Sequence, residues 1–265
     1  MFSYLDTFTK IYLIAVCALF GLVMGSALNC LAYRIAHKEQ WSGGRSRCPD
    51  CGHTLKAADL IPLFSYLFLK GRCRYCGKKI SPRYPIAEAM LAVIYVSLLL
   101  RYDLTPETAQ LVILCSCLFC LSLVDLDIQI IPDRFILIPI VCRLLYHLVM
   151  NGFTMAALSA IWYSLWHGLL TGGAVLALSL IMDKVLGKDS MGGGDIKLLF
   201  VLGLYFDLPC IFLLVLAACI IGIVLAMSLG AKKGIAFPFG PALALAGWLT
   251  LLVGKPITGW YMSLF

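Results

Sequence analysis

The stretch IYLIAVCALFGLVMGSALNCLAY, Ile11 to Tyr33, runs for 23 residues without one charged side chain. A helix needs about 20 such residues to cross the roughly 30 Å hydrocarbon core of a bilayer. The run lacks the basic segment that opens a cleaved leader and continues through Asn29 into Arg34, which predicts a retained first helix. Similar apolar runs follow, and 62% of the 265 residues are hydrophobic while only 13% are charged. A water-facing globular surface needs far more charge than that. The composition therefore excludes a soluble domain and predicts an all-α polytopic membrane protein.

Charge sets the predicted orientation. Between Arg34 and Arg83 there are eleven Lys or Arg against three acids, Glu39, Asp50 and Asp59. Such a basic insert belongs on the cytoplasmic side of the membrane, which places the N-terminus outside. Eight helices are then expected, at about 11–33, 85–101, 108–126, 134–150, 164–182, 195–206, 208–229 and 238–253. With that layout seventeen basic residues fall inward, including Arg134, Lys184, Lys188, Lys197, Lys232 and Lys233, and three, Lys10, Arg101 and Lys255, fall outward. The sixth helix is short for a span and is either tilted or fused to the seventh. Within the insert, ADLIPLFSYLFLK (58–70) is apolar but too short to cross, so it is expected at the interface or against the bundle.

The insert also carries RCPDCGHTL (47–55) and RCRYCGKKI (72–80), one pattern repeated 25 residues apart. Each knuckle is Cys-x-x-Cys-Gly, in which the glycine turns the backbone so that amides point at thiolate sulfurs. Two of them at this spacing predict a tetrahedral zinc-ribbon-like site on Cys48, Cys51, Cys73 and Cys76. Structural disulfides are disfavoured on the reducing cytoplasmic side. The other eight cysteines lie in apolar runs, where Cys packs as a small hydrophobe. His53 reads as a surface residue, because four thiolates already close the site.

Charges at the ends of membrane helices are costly and default to function. LSLVDLDIQIIPDR (121–134) ends the third helix with Asp125 and Asp127, and MGGGDIKLLF (191–200) opens the sixth with Asp195. Both ends fall on the cytoplasmic face, so the two helices can bring carboxylates together. Two carboxylates held close share a proton, the equipment of an aspartyl protease. Asp125 and Asp127 are two residues apart and cannot both face one partner; helix geometry leaves either open. Asp133 reads as a helix cap, Asp183 and Asp189 as solvated loop charges, and Lys197 as a side chain reaching the headgroups. Gly192 and Gly194 leave room for a substrate backbone beside Asp195. Glu88 is expected either to bind a substrate amine or to pair with Arg83. Gly21 and Gly25 mark a close helix-packing face, and Arg143 and His147 a polar contact within one helix.

These blocks together resemble the type IV prepilin leader peptidase/N-methyltransferase family of Gly-x-Gly-Asp membrane aspartyl proteases. The resemblance rests on GLVMGSALNCLAYR (21–34), the paired knuckles, IPLFSYLFLKGRCRYCGKKISPRYPIAE (61–88), LVDLDIQIIPD (123–133), GGGDIKLL (192–199) and FPFGPALALAG (237–247). It implies that the first catalytic aspartate stands seven residues before Pro132, which selects Asp125 over Asp127, and that Asp195 is the second. It implies leader cleavage from prepilins or pseudopilins at the cytoplasmic face of a bacterial inner membrane. It also implies N-methylation of the new terminus from S-adenosylmethionine. No glycine-rich nucleotide-binding turn is present, so the cofactor residues are unassigned. The expected organisation is a first transmembrane helix (1–33), a cytoplasmic zinc loop (34–84) within a family unit over 11–95, and a peptidase domain (85–265) with its core at about 105–215. The expected partners are the prepilin substrate and membrane lipid, with no nucleic acid. Two readings from other classes compete: a proton-coupled carrier relaying protons through Asp125 and Asp195, and a non-catalytic zinc-ribbon membrane adaptor.

Overall fold

The computed structural model describes residues 6–40, 44–187, 191–228 and 238–264. Lys188, Asp189, Lys232, Lys233 and Phe237 lie outside the described residues. The described residues form helices joined by turns, and the chain divides into two compact units, Met1–Thr108 and Ala109–Phe265.

In the first unit α1 (Thr7–Ala36) begins where the Asp6 carboxylate accepts the Thr9 amide at 3.1 Å, satisfying one of the free N–H groups of a helix start. It packs along α3 (Arg83–Tyr102). The approach is close because of two glycines: a Cβ at Gly21 would lie 2.6 Å from Ala92 Cα, and one at Gly25 would lie 2.7 Å from Glu88 Cα. Bulk is excluded there by backbone, which is how small residues let membrane helices associate. The first helix, the loop and α3 lie in one compact unit. Between the helices lie a 3₁₀ turn (Ala57–Leu60), the five-residue α2 (Phe64–Phe68) and the cysteine knuckles.

The second unit contains the remainder of α4 (Pro106–Ile128), α5 (Arg134–Asn151), α6 (Met155–Leu186), α7 (Gly193–Tyr205), α8 (Leu208–Ser228) and α9 (Gly240–Met262). Of the described helices seven are long and apolar enough to cross a membrane: α1, α3, α4, α5, α6, α8 and α9. The expected sixth span, α7, has 13 residues, about 20 Å of helix. It is separate from α8, the break falling at Phe206 and Asp207. Though short, α7 is enclosed: Leu198, Leu199, Val201, Leu202 and Leu204 are all buried, the pattern of a helix wrapped by neighbours. Gly168 of α6 meets Gly203 of α7 so closely that a Cβ on Gly203 would stand 2.8 Å from Gly168 Cα. From α9, Gly247 packs on Leu202.

The predicted helix starts shift where caps intervene. α6 begins at Met155, nine residues before the expected 164, because the Thr154 hydroxyl accepts the Ala157 amide. α9 runs on to Met262 through Pro256, past the expected end at 253. Arg143 and His147, one turn apart on α5, each reach a further partner. The Arg143 guanidinium donates from Nε to the Leu204 carbonyl at 3.0 Å, capping the end of α7, and His147 Nε2 meets Ser164 Oγ at 2.9 Å.

Candidate active site

Asp125 sits one turn before the end of α4, and its residue is 5% exposed. Asp127, two positions on, is exposed. Helical geometry therefore separates what spacing alone could not: only Asp125 turns into the unit. Its Oδ2 accepts the main-chain N–H of Gly240 at 3.0 Å, a buried bond across 115 residues of sequence. Gly240 is the first residue of α9, and unpaired amides at a helix start, aligned with the helix dipole, are suited to an anion. The contact is intolerant of a side chain, since a Cβ on Gly240 would fall 2.7 Å from the same oxygen. Pro241 and a Phe239 cap open this helix. Proline there loses no hydrogen bond and favours the start.

Asp195 is the third residue of α7, in its first turn. The cap itself is Gly192, with an extended backbone and no side-chain bond, so Asp195 is not the capping residue. It is half-buried and lies in the same unit as Asp125. The three glycines before it differ in what they face. A Cβ on Gly194 would come 3.0 Å from Ile131 Cβ, so the space at Gly194 is filled by the chain leaving α4. One on Gly192 would meet Asp195 Oδ2 at 3.3 Å, whereas Gly193 has nothing within 4 Å. The open position is thus Gly193, which the sequence reading passed over in favour of Gly192 and Gly194. Lys197 bonds Asp133 at 2.7 Å, both exposed. Asp133 stands at the start of α5 without capping it through its side chain; its carboxylate ties the α4–α5 turn to α7 instead.

In the first unit the thiol sulfurs of Cys48, Cys51, Cys73 and Cys76 lie within 4.8 Å of one another. A tetrahedral zinc with bonds of about 2.3 Å would bring sulfurs to just under 4 Å, and Cys48 and Cys76 already stand 4.0 Å apart. The set fits one tetrahedral ion with small adjustment. Each knuckle is closed by the same bonds: Gly52 donates to Cys48 O and Gly77 to Cys73 O, both at 2.9 Å. Both glycines have a positive φ, +69° and +70°, a conformation other residues adopt at a cost. The Cys76 and Tyr75 amides aimed at Cys73 pull its thiol down to about 7, the thiolate-favouring environment that metal binding needs. His53 is not part of the cluster; its ring lies 3.7 Å from that of Tyr75. Glu88 is buried in α3, and its Oε2 accepts the Leu63 amide at 2.7 Å. Leu63 has φ +58°, so Glu88 holds a strained turn of the loop, a role its sequence position did not reveal.

The structure defines a class: a multi-pass helical membrane protein with a four-cysteine cluster that could hold a metal ion and acids at the end of one helix and the start of another. The bacterial peptidase A24 N-terminal domain matches residues 19–102, and the type IV leader peptidase family matches residues 112–227. The prepilin leader peptidase/N-methyltransferase of Aeromonas salmonicida strain A449 is 35% identical, with 92% of each chain covered. Those of Pseudomonas putida (33%, 96% of this chain and 95% of that one) and Bacillus subtilis strain 168 (30%, 95% and 99%) are similar along nearly their whole lengths. The chain belongs to the prepilin leader peptidase/N-methyltransferase family. No solved structure matches it.

Proposed function

We propose that this chain removes the leader from prepilins or pseudopilins with Asp125 and Asp195 as its catalytic pair, at the cytoplasmic face of a bacterial inner membrane. The observation that carries the reading is the buried Asp125 carboxylate at the end of α4, fixed by the Gly240 amide, in the same unit as Asp195 at the start of α7. In such a pair the ionised member takes a proton from water as the oxygen attacks the scissile carbonyl carbon, while the protonated member donates to the carbonyl oxygen. The tetrahedral intermediate collapses as the carboxyl that took the water proton gives it to the amide nitrogen, a hydroxyl of the intermediate returns its proton to the other carboxylate, and the C–N bond breaks. The Gly240 amide fixes one oxygen of Asp125 and so orients the carboxylate within the pair. Gly193, open on its outer side, leaves space for an extended substrate backbone beside Asp195, with Gly192 turning the chain there. The basic loop on the first unit supports the cytoplasmic side. That unit serves as the zinc-bearing domain, with one structural zinc on the four cysteines, and the second unit as the peptidase domain.

The names of the relatives support methyl transfer to the new N-terminus, with S-adenosylmethionine as donor. Its site has no assigned residues in this chain. Glu88, occupied by the Leu63 amide, is better placed to shape the loop than to meet a substrate amine.

The test uses purified enzyme reconstituted with a prepilin carrying a basic leader before an apolar helix. Asp125→Asn and Asp195→Asn should each abolish cleavage while the protein stays inserted, and Asp127→Asn should keep it. Cleavage surviving both of the first two changes would leave an adaptor, not a peptidase. Mass spectrometry of the mature N-terminus, with and without S-adenosylmethionine, decides the methylation: an unmodified product in its presence removes that activity.

A further inference from the structure

Three cations of the loop, Lys70, Arg72 and Lys79, line one open cavity of about 520 Å³ with Tyr66, Ser81 and Pro82. The second cysteine knuckle gathers them, since Arg72 and Lys79 stand opposite each other across an antiparallel bridge. The turn at Gly71, φ +67°, lets Tyr66 lie across the backbone, where a Cβ would be 3.0 Å from its hydroxyl. Neighbouring cations are neutralised: Arg74 pairs with Asp59 at 2.7 Å and Lys78 with Asp50 at 2.8 Å. Among the described residues no carboxylate pairs with Lys70, Arg72 or Lys79. Three like charges around one cavity repel unless an anion lies among them, and a phosphate offers acceptors to ammonium, guanidinium and hydroxyl donors together.

Position favours one source of that phosphate. Pro82 is the cap of α3, a candidate membrane span, so the cavity opens beside the end of a membrane helix. Beside the cations, Leu67 is 67% and Phe68 82% exposed. Apolar side chains bare to solvent next to unpaired cations match the boundary between headgroups and acyl chains. We propose that this cavity binds the phosphate of an anionic phospholipid, with Leu67 and Phe68 inserted among the adjoining acyl chains.

The full-length protein is placed in nanodiscs of phosphatidylcholine with a minor fraction of phosphatidylglycerol, and bound lipid is read by native mass spectrometry. The variant combining Lys70→Gln, Arg72→Gln and Lys79→Gln should lose phosphatidylglycerol retention by about fivefold per cation, about a hundredfold in all. A variant of equal net charge, Lys38→Gln with Arg45→Gln and Lys56→Gln, should keep it. Equal loss in both would mean diffuse loop charge and overturn the site. Leu67→Ser with Phe68→Ser should weaken retention while leaving the zinc content unchanged; unaltered retention overturns the apolar anchor. Inorganic phosphate at millimolar concentration should not displace the lipid; displacement would assign the cavity to a soluble anion. In the unaltered protein, a photoactivatable phosphatidylglycerol should crosslink within residues 64–82, and adducts confined elsewhere would overturn the proposal without any variant.

Discussion

The main-chain amide of Gly240 donates to the carboxylate of Asp125 at 3.0 Å, and a methyl group on that glycine would collide with the same oxygen. Gly240→Ala is therefore expected to displace Asp125 without removing it. A shift of about an ångström in a reacting group costs on the order of a hundredfold in rate, so cleavage should fall by about that much. Insertion and zinc content should stay at wild-type levels. Unchanged cleavage would mean that the amide does not position the carboxylate.

Lys197 and Asp133 form an exposed ion pair between the α4–α5 turn and α7. Exposed pairs contribute about 0–1 kcal/mol. Lys197→Ala should shift thermal unfolding by only a few degrees and cleavage by less than about threefold, measured on the same reconstituted preparation. A loss as severe as that of Asp195→Asn would give Lys197 a place in the chemistry.

Gly25 allows α1 to lie against the backbone of α3 at Glu88. Gly25→Val should separate the helices and destabilise the first unit by about 1–3 kcal/mol, the usual cost of overpacking. Through Glu88 the change should reach the strained turn at Leu63, so faster proteolysis within residues 57–70 is the expected sign. Equal proteolysis in variant and wild type would argue against the coupling.

Zinc should be present at one ion per chain by elemental analysis of the purified protein. Removing it with a chelator, or changing Cys73 to Ser, should expose Arg72 and Arg74 to trypsin, because the knuckle turns at Gly52 and Gly77 are held only by local bonds. A trypsin-resistant metal-free loop would show that the hydrogen bonds alone suffice.

The Asp59 carboxylate accepts from Arg74, Tyr75 and the Lys56 amide. Burial pushes its ionisation upward, but these donors outweigh it and hold Asp59 below the usual carboxylate range. Such a group stabilises the fold above its unfolded value, about 4, and that contribution disappears as pH falls through the lower folded value. Trypsin being inactive in acid, pepsin susceptibility of the loop should rise as pH falls from about 4 to 2. In Asp59→Asn it should be high already at the upper end of that window and change little. A wild-type acid profile in the variant would remove Asp59 from the acid response.

Much of this molecule was legible from contiguous residues. The spans follow from uninterrupted apolar runs such as 11–33, since hydrophobic length is a local property that the bilayer reads directly. The cysteine cluster follows from two knuckles whose turns are built within five residues each. The places of Asp125 near the end of one helix and Asp195 in the first turn of another were legible as acids flanking apolar runs.

Contacts made across the fold were not. Spacing could not choose between Asp125 and Asp127, and only the rotation of α4 in its packing turns one inward and leaves the other exposed. Ile131 fills the face of Gly194, so that the open glycine is Gly193, and the Gly240 amide reaches Asp125 from 115 residues away. Sequence determined which segments are helices and where the four cysteines gather, because those depend on neighbours along the chain. Tertiary structure decided which groups meet, because a contact such as the 3.0 Å bond from Gly240 to Asp125 depends on how whole helices lie against one another, with glycine setting how near they come.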